Sequence, residues 1–599
     1  MTGLAKQLYY ERCPTTAPHT DKLSLIADLI ERKALHYVDY IFAQQILAGS
    51  WTEKSALFLS YLLRSSRDGH LCVEISQKLL PDPKELFNEL YSECGEQYNW
   101  LVLRNKITEG SKEVAVLIEK AKENIPLNYW NHRFYLQCNW TAETIVIDQL
   151  KKISGLKPFL SIDNEKLESI LEQLSSSGRL LEEQASAIRC AAINLLTIVT
   201  GGPGTGKTYT ASHLVSVLWQ CLNDSQKDQL RICVSAPTGK ATTHLFTQVS
   251  RFLSSHGELA SKISFKTLQA LVKMRKNSEE NDDEPIDADI LLVDESSMID
   301  VNLFAKLLTK LKEGSRLILL GDCAQLPPIE AGNLFADLTT IDSLPKIFLT
   351  RCLRIELQTM LSFAKSICDG QCQAALHLLN ENQAGLKRFN PENILDEKLL
   401  QNAILKAVIP LFPSDHQGEW KQLFKEFSKF RILSPLRNGL LGSDQLNAML
   451  AQYFLLKSQK NNQLFVAPIL VKSNHYPLDL FNGDLGLLVT DSSNDEMPYA
   501  LFPAREEELP LRRFYACQIP NYEYAYCISV HKSQGSEFDE VFIVLPEAAS
   551  RFGREVLYTA VTRAKKSLCI CGSDAVLHGL INKQCKRLSS INQRILQNQ

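Results

Sequence analysis

The sequence predicts an α/β fold with two regions built on parallel sheets, a mainly helical N-terminal domain and a small all-β insertion in the second region. Three observations predict it. From about residue 180, short apolar runs alternate with helix-length gaps; a second series of such runs occupies the C-terminal part; and between them, from about 430 to 520, strand-like runs are broken by turn signals. Buried parallel strands read as continuous apolar runs, because crossover helices cover both faces of their sheet.

Residues 1–150 form the N-terminal domain. In DKLSLIADLIERKALHYVDYIFAQQILAG, Leu23, Leu25, Ile26, Leu29 and Ile30 recur at helical spacing. SALFLSYLLRSSRDGHLCVEIS then reads as a helix, a turn at Asp68-Gly69 and a short strand. No catalytic constellation is visible here, so a packing or partner-binding role is expected.

Residues 151–350 carry LLTIVTG (195–201), RICVSAP (231–237), ADILLVDE (288–295), SRLILLGD (315–322) and KIFLT (346–350) as strands. The acidic, proline-containing stretch 277–289 reads as a solvated connection. Residues 351–599 form the second region, with strands at YAYCISV (524–530), VFIVLP (541–546) and SLCICGS (567–573). The insertion at about 430–520 is marked by NGLLG, FNGDLG, SSNDEMP and PNYE. No tandem repeat is present.

The 599 residues are 45% hydrophobic and 22% charged, with net charge −3. That describes an ordinary globular chain of roughly four domains. The near-zero charge neither favours nor excludes a nucleic-acid partner, since phosphate attraction depends on where the basic groups sit. The opening MTGLAKQLYYERC lacks a basic stretch followed by an apolar one, so no secretory signal is expected. No apolar run approaches the ~18 residues of a transmembrane helix. Sixteen cysteines without an export signal point to reduced thiols and a cytoplasmic setting. Cys368 with Cys372 and His377, and Cys569 with Cys571, lack the second ligand pair of a zinc site.

The strongest local signal is Gly201-Gly202-Pro203-Gly204-Thr205-Gly206-Lys207-Thr208, a complete GxxxxGK[ST]. An apolar strand precedes it and a helical segment follows. Glycines let the backbone wrap a phosphate, and the N–H groups and helix N-terminus favour the anion. Lys207 would reach the β- and γ-phosphates of ATP, and the Thr208 hydroxyl would ligate Mg²⁺. A metal carboxylate is also needed, and Asp294-Glu295 follows the apolar run Ile290–Val293. Asp294 would hold Mg²⁺ and Glu295 would act as general base toward water. Donors that neutralise the transferred phosphoryl group are sought among arginines; the candidates, Arg354 and Arg563, rest mainly on the resemblance given next.

Further segments narrow the class. Ala236-Pro237-Thr238-Gly239-Lys240-Ala241 resembles motif Ia of superfamily 1 helicases, Asp294–Met298 motif II, and Gly321-Asp322-Cys323-Ala324-Gln325-Leu326-Pro327-Pro328 motif III. Leu349–Arg354 resembles motif IV, Val530–Asp539 motif V, and Tyr558–Ala564 motif VI. SPLRNGLLGSDQLN (434–447), LFNGDLG (480–486), HKSQGSEFDEVFIVLP (531–546) and, more loosely, DGHLCVEIS (68–76) and YLQCNWTAETIV (135–146) are similar to the RecD family of exodeoxyribonuclease V subunits. One departure is Leu353-Arg354-Ile355, where that family would place an aromatic before the arginine.

The resemblance implies two RecA-like motor domains, an SH3-like insertion and ATP bound between the motors. Gln184 falls at the adenine-recognising glutamine; a side-chain amide offers one donor and one acceptor to a base edge. Gln325 would sense the γ-phosphate, Arg354 and Arg563 would project into the ATP cleft, and Gly535 and Glu537 would lie beside the nucleotide. Thr238, Lys240, Thr267, His531, Lys532 and Ser533 match positions that contact a nucleic-acid backbone. The implied activity is DNA unwinding with 5′-to-3′ travel on single-stranded DNA from duplex ends, in a RecBCD-type complex with RecB-like and RecC-like subunits. A stand-alone helicase of the same family and a mainly structural subunit with weak ATPase activity are the alternatives.

Overall fold

The computed structural model describes residues 24–47, 52–76, 78–121, 125–253, 257–272, 284–352, 358–389, 396–413, 419–491, 497–504, 510–519 and 521–597. Arg354, with the rest of the Leu353-Arg354-Ile355 departure, and most of the acidic connection lie outside these residues.

The N-terminal domain is mainly helical and carries the strand expected after Asp68-Gly69 together with three others. The helices Ser24–Glu31, Tyr37–Leu47, Glu53–Arg67 and Trp100–Ala121 pack around a sheet of β1 (Cys72–Ile75), β2 (Leu79–Leu80), β3 (Leu127–Trp130) and β4 (Arg133–Leu136). Its strands are antiparallel in the order β2-β1-β4-β3. Its core closes over residues 26–134. The next helix, Gln137–Gly155, buries Ala142, Val146, Ile147 and Leu150 against the following lobe instead. The structural boundary therefore falls near residue 136 rather than 150.

The first lobe is a six-stranded, wholly parallel sheet of β5 (Leu196–Gly201), β6 (Ile232–Ala236), β7 (Ile263–Thr267), β8 (Ile290–Val293), β9 (Arg316–Gly321) and β10 (Lys346–Leu349). The order is β10-β5-β9-β8-β6-β7. Every residue of β8 and β9 is buried, as expected for strands covered on both faces. β7, with alternating burial at the sheet edge, gives too weak an apolar run to read from sequence. Arg316 opens β9 only 1% exposed. Its guanidinium donates to Ala191 O (3.0 Å), Leu160 O (2.9 Å) and Ala192 O (2.8 Å). Two carbonyls at the end of helix Glu182–Ile193, with Leu160 O, thus accept from a buried cation, tying β9 to the helix that carries Gln184.

The second lobe contains β11 (Leu386–Phe389), β12 (Phe430–Ser434), β13 (Phe465–Val471), β14 (Leu485–Thr490), β15 (Tyr499–Phe502), β16 (Arg512–Tyr515), β17 (Tyr522–Tyr524), β18 (Cys527–Ser529), β19 (Phe538–Val544) and β20 (Ala564–Cys571). Strands β11-β20-β19-β12-β18 form a parallel sheet, and β16-β15-β14-β13-β17 an antiparallel one. The insertion thus runs from 465 to 524. Residues 430–461, expected within it, instead supply a buried strand of the parallel sheet and the helix Ser443–Asn461. Their punctuating turn, Leu436–Gly442, joins a strand to a helix rather than two strands.

After helix Asp574–Asn582 the chain leaves the second lobe and returns to the first. Leu588 exchanges backbone and imidazole hydrogen bonds with His70 and Leu71 (3.1 and 2.9 Å). Arg587 donates to Glu330 O (2.6 Å) and Gly332 O (2.8 Å). Ile591 and Ile595 enter the first lobe's core, and Arg594 pairs with the fully buried Glu143 at 2.9 Å. No helix of the described residues is long and apolar enough to cross a membrane.

Candidate active site and nucleic-acid interface

All strands of the first sheet point the same way, so the loops after β5, β8 and β9 gather at one edge. Ligands collect at this edge in open α/β sheets. β9 lies between β5 and β8, which brings Gly201, Asp294 and Asp322 to one rim.

The loop after β5 bends through Gly204 (φ +76°) and Gly206 (φ +82°) before the helix Lys207–Gln220. These left-handed conformations suit glycine. Lys207 Nζ donates to Gly201 O (2.7 Å) and Gly202 O (3.1 Å), and Thr205 Oγ1 to Gly202 O (2.8 Å). The ammonium therefore lies folded onto the loop a phosphate would occupy. Asp294 is 8% exposed and its Oδ1 accepts the Glu295 amide at 2.8 Å. Burial pushes its carboxyl up, the Glu295 charge adds to this, and Lys207 and a hydrogen bond from Thr208 oppose it. Glu295 itself has a left-handed backbone (φ +50°), a conformation that costs energy for a residue with a side chain. Thr208, Lys207 and Asp294 are thus brought together.

Gln184 is 1% exposed. Its Oε1 accepts the Leu181 amide at 3.0 Å, while Nε2 is buried with no partner. An unpaired buried amide is costly, and a base-edge acceptor would satisfy it. Beside it, Glu183 accepts the amides of Thr350 (2.7 Å) and Arg351 (3.3 Å) and the Thr350 hydroxyl. Cys352 Sγ lies 3.7 Å from Pro203 O. The sequence reading missed Glu183, whose neighbour carried the family match.

Gln325 Nε2 donates to Asp322 Oδ2 (3.2 Å), leaving Oε1 buried and unpaired. The second lobe closes on the same place. Tyr558 OH donates to Asp322 Oδ2 (3.1 Å), and Leu326 N to Thr559 Oγ1 (3.0 Å). Gln534 Nε2 donates to Leu326 O at 3.3 Å. A Cβ on Gly202 would sit 3.1 Å from the Tyr558 hydroxyl, so helix Arg554–Val561 overhangs the glycine loop. Tyr558, Thr559 and Gln534 stood within the motif matches, yet nothing in their residue type marked them as interface contacts. Burial, then the Asp322 charge, raises the Tyr558 hydroxyl well above its ordinary value.

Arg563 is bonded within its own lobe. It donates to Thr559 O (3.0 Å), Ser536 O (3.3 Å) and Thr562 Oγ1 (3.3 Å). Gly535 (φ +68°) turns the preceding loop, and Glu537 pairs with Lys565 at 3.2 Å.

The expected backbone-contacting residues divide. Thr238 and Thr267 cap helices by accepting Ala241 N and Ala270 N (both 3.2 Å). Lys532 donates to Glu523, a partner the sequence did not suggest. His531 is partly buried, and burial first and Arg587 second lower its imidazole. Ser533 is fully buried and donates to Val530 O at 2.6 Å; it presents no surface to a strand here, because the short helical turn folds its hydroxyl inward. Lys240 Nζ donates to Ser536 Oγ at 2.7 Å, and so crosses between lobes instead of facing solvent. Burial, then Arg431, lowers its ammonium to about 8. Beside it, a cavity of about 560 Å³ opens between helix Gly239–Leu253, the insertion and Gly535–Phe538, lined by Lys240, Phe481 and Arg512 among others. No residue of the glycine loop lines it. Among the described residues, no group of three or more His, Cys, Asp or Glu could hold a metal ion.

Residues 184–331 match the family model for an AAA domain, and residues 524–571 that for a UvrD-like helicase C-terminal domain. The RecBCD enzyme subunit RecD of Mycolicibacterium smegmatis is 28% identical over 484 residues, covering 78% of this chain and 83% of that protein. The RecBCD enzyme subunit RecD of Haemophilus influenzae is 26% identical, covering 95% of this chain and 99% of that one. Among solved structures, the Pif1 helicase from Bacteroides in complex with ADP-AlF3 and single-stranded DNA is similar at 14% identity and a TM-score of 0.37, covering 70% of this chain and 97% of that one.

Proposed function

We propose that this chain, a RecD-type member of the superfamily 1 helicases, is an ATP-driven motor that travels 5′ to 3′ along single-stranded DNA as one subunit of a RecBCD-type complex. The observation that carries the reading is the Tyr558–Asp322 hydrogen bond above Gly202. It joins residues 236 positions apart in the chain, with the glycine loop on one lobe and the covering helix on the other.

The donor set fits ATP. The glycine loop offers a backbone cradle, Lys207 a cation for the phosphates, and the unpaired Gln184 amide a donor for a base edge. Thr208 and Asp294 would hold Mg²⁺, which supplies charge neutralisation on the phosphates. Asp294 has the burial that keeps water away from such an ion. Glu295 would orient and deprotonate the attacking water. Gln325, bonded to Asp322 and hence to Tyr558, would pass the state of the terminal phosphate to the second lobe. Arg563, and Arg354 by the same reasoning, would swing onto the phosphates as the lobes close. Closure driven by a ligand that prefers one of two states, and its reversal on hydrolysis, would move the grip along the strand.

The strand would cross both lobes on the side of Thr238, Thr267 and His531, near the β insertion. The N-terminal domain, whose core is separate from both lobes, would dock RecB-like and RecC-like partners. The relatives named above are themselves subunits of such an enzyme and match this chain over most of their length.

Hydrolysis of ATP with and without a single-stranded oligonucleotide, wild type against Lys207→Gln, tests the reading. Losing one preorganised donor to the phosphates should lower the stimulated rate by at least ~100-fold. Equal rates would overturn it.

A further inference from the structure

Lys240 is the first charged residue after β6, in the segment that resembles a strand-contacting motif. Yet its ammonium lies against Ser536 of the other lobe at 2.7 Å. Ser536 is 4% exposed, and its backbone carbonyl accepts Arg563 Nη1 at 3.3 Å. One residue therefore receives two cations on two different oxygens: Lys240 on its hydroxyl and Arg563 on its carbonyl. The geometry is closely supported from both sides. Gly535 brings its α-carbon near Ala241, since a Cβ there would meet Ala241 Cβ at 3.6 Å. Phe481 of the insertion closes over Gly239, where a Cβ would come within 2.5 Å of Phe481 Cβ.

We propose that Ser536 is a positioning residue that relays strand binding at the start of helix Gly239–Leu253 to Arg563. This rests on the motor reading above. At rest, Arg563 is held within the second lobe by Thr559 O and Ser536 O. A phosphate arriving beside Thr238–Lys240 draws the ammonium toward it. The hydroxyl of Ser536 follows or is released, the turn at Gly535 shifts, and the carbonyl that restrains Arg563 moves with it. The guanidinium is then free to meet the nucleotide. The link is built from two lobes, so it breaks and forms with their relative movement, as a two-state coupling element must. No bond is made or broken covalently, and no proton transfer is required.

The test uses Ser536→Ala, which removes the hydroxyl and keeps the carbonyl, in the full chain. Four quantities are measured: basal ATP turnover, turnover saturated with a single-stranded oligonucleotide, the oligonucleotide's Kd and the thermal midpoint. We expect basal turnover, Kd and midpoint near wild type, and stimulation reduced ~10-fold, within the usual span of coupling between sites. Ser536→Thr, which keeps a hydroxyl, should restore most of the stimulation; a Thr variant that stays as uncoupled as Ala would count against the relay. Full stimulation in Ser536→Ala overturns it, and so does a loss explained wholly by weaker oligonucleotide binding or by an equal fall in basal turnover. Lys207→Gln run alongside separates the two claims. If that variant still hydrolyses ATP at the wild-type rate, the motor reading fails, whereas a failure confined to Ser536→Ala leaves the motor standing and removes only the relay.

Discussion

The Tyr558 hydroxyl donates to Asp322 across the boundary between the lobes, 3.1 Å from an oxygen that also accepts the Gln325 amide at 3.2 Å. A buried carboxylate with two side-chain donors from different lobes stabilises one relative placement of them. A net hydrogen bond to a charged group is worth about 1.5–3 kcal/mol. Tyr558→Phe should therefore lower ATP turnover about tenfold while the thermal midpoint moves little. Steady-state hydrolysis and a melting curve check this; wild-type turnover in the variant would remove Tyr558 from the coupling.

The contact between Gly239 and Phe481 predicts a compensating pair. Gly239→Ala places a methyl 2.5 Å from the Phe481 side chain, an overpacking that costs about 1–3 kcal/mol. Phe481→Ala in the same chain makes the room. The double variant should unfold at a higher temperature than Gly239→Ala alone. Strict additivity of the two losses would show that the insertion does not touch this helix.

Breaking the Arg594–Glu143 pair should be severe. Glu143 is fully buried and also accepts Ser590 N (2.7 Å) and Ser590 Oγ (2.8 Å), while Arg594 stacks 3.8 Å from the Trp140 ring centroid. Removing one partner of a buried ion pair leaves an uncompensated charge, at about 3–5 kcal/mol. Arg594→Ala should lower the denaturation midpoint, and adding Glu143→Gln should recover part of the loss. A chain that unfolds as wild type without Arg594 would show the pair to be dispensable.

Asp337, under the same C-terminal segment, gives a pH test. Burial first, and Glu143 next, push its carboxyl up to about 7 against a hydrogen bond from Ser589. The folded state thus holds a proton that the unfolded chain loses near 4. Its contribution to stability is full below that value and is lost as pH rises to about 7. Asp337→Asn, permanently neutral, should melt above wild type at pH values higher than 7, and the difference should close on acidification toward 4. A constant difference across that range would mean Asp337 titrates normally.

The residues legible in sequence were those whose chemistry needs a fixed local pattern. The glycine loop, Lys207, Thr208 and Asp294 announce themselves because a phosphate cradle and a strand-end carboxylate are set by neighbours in the chain. The strands at 196–201, 290–293 and 316–321 were legible for a related reason: burial on both faces leaves an uninterrupted apolar run. What escaped depends on distant partners. Tyr558, Ser536 and Glu183 take their importance from residues in another part of the chain, and β7 is an edge strand with a mixed pattern. The extent of the insertion was misjudged because turns around 436–442 read alike whether a strand or a helix follows. Lys240, Lys532 and Ser533 looked like phosphate contacts by type, yet each is engaged within the protein.

The returning C-terminal segment gives the two lobes a second tie, this one made of hydrogen bonds, an ion pair and packing. One connection runs forward through the stretch after β10, and the other runs back through Arg587 to Glu330 and Gly332 beside β9's outgoing loop. A body joined to another at a single point swivels in any direction, whereas one joined at two can turn only about the line between them. Where the tail is fastened therefore restricts how the second lobe can turn against the first for as long as these contacts hold.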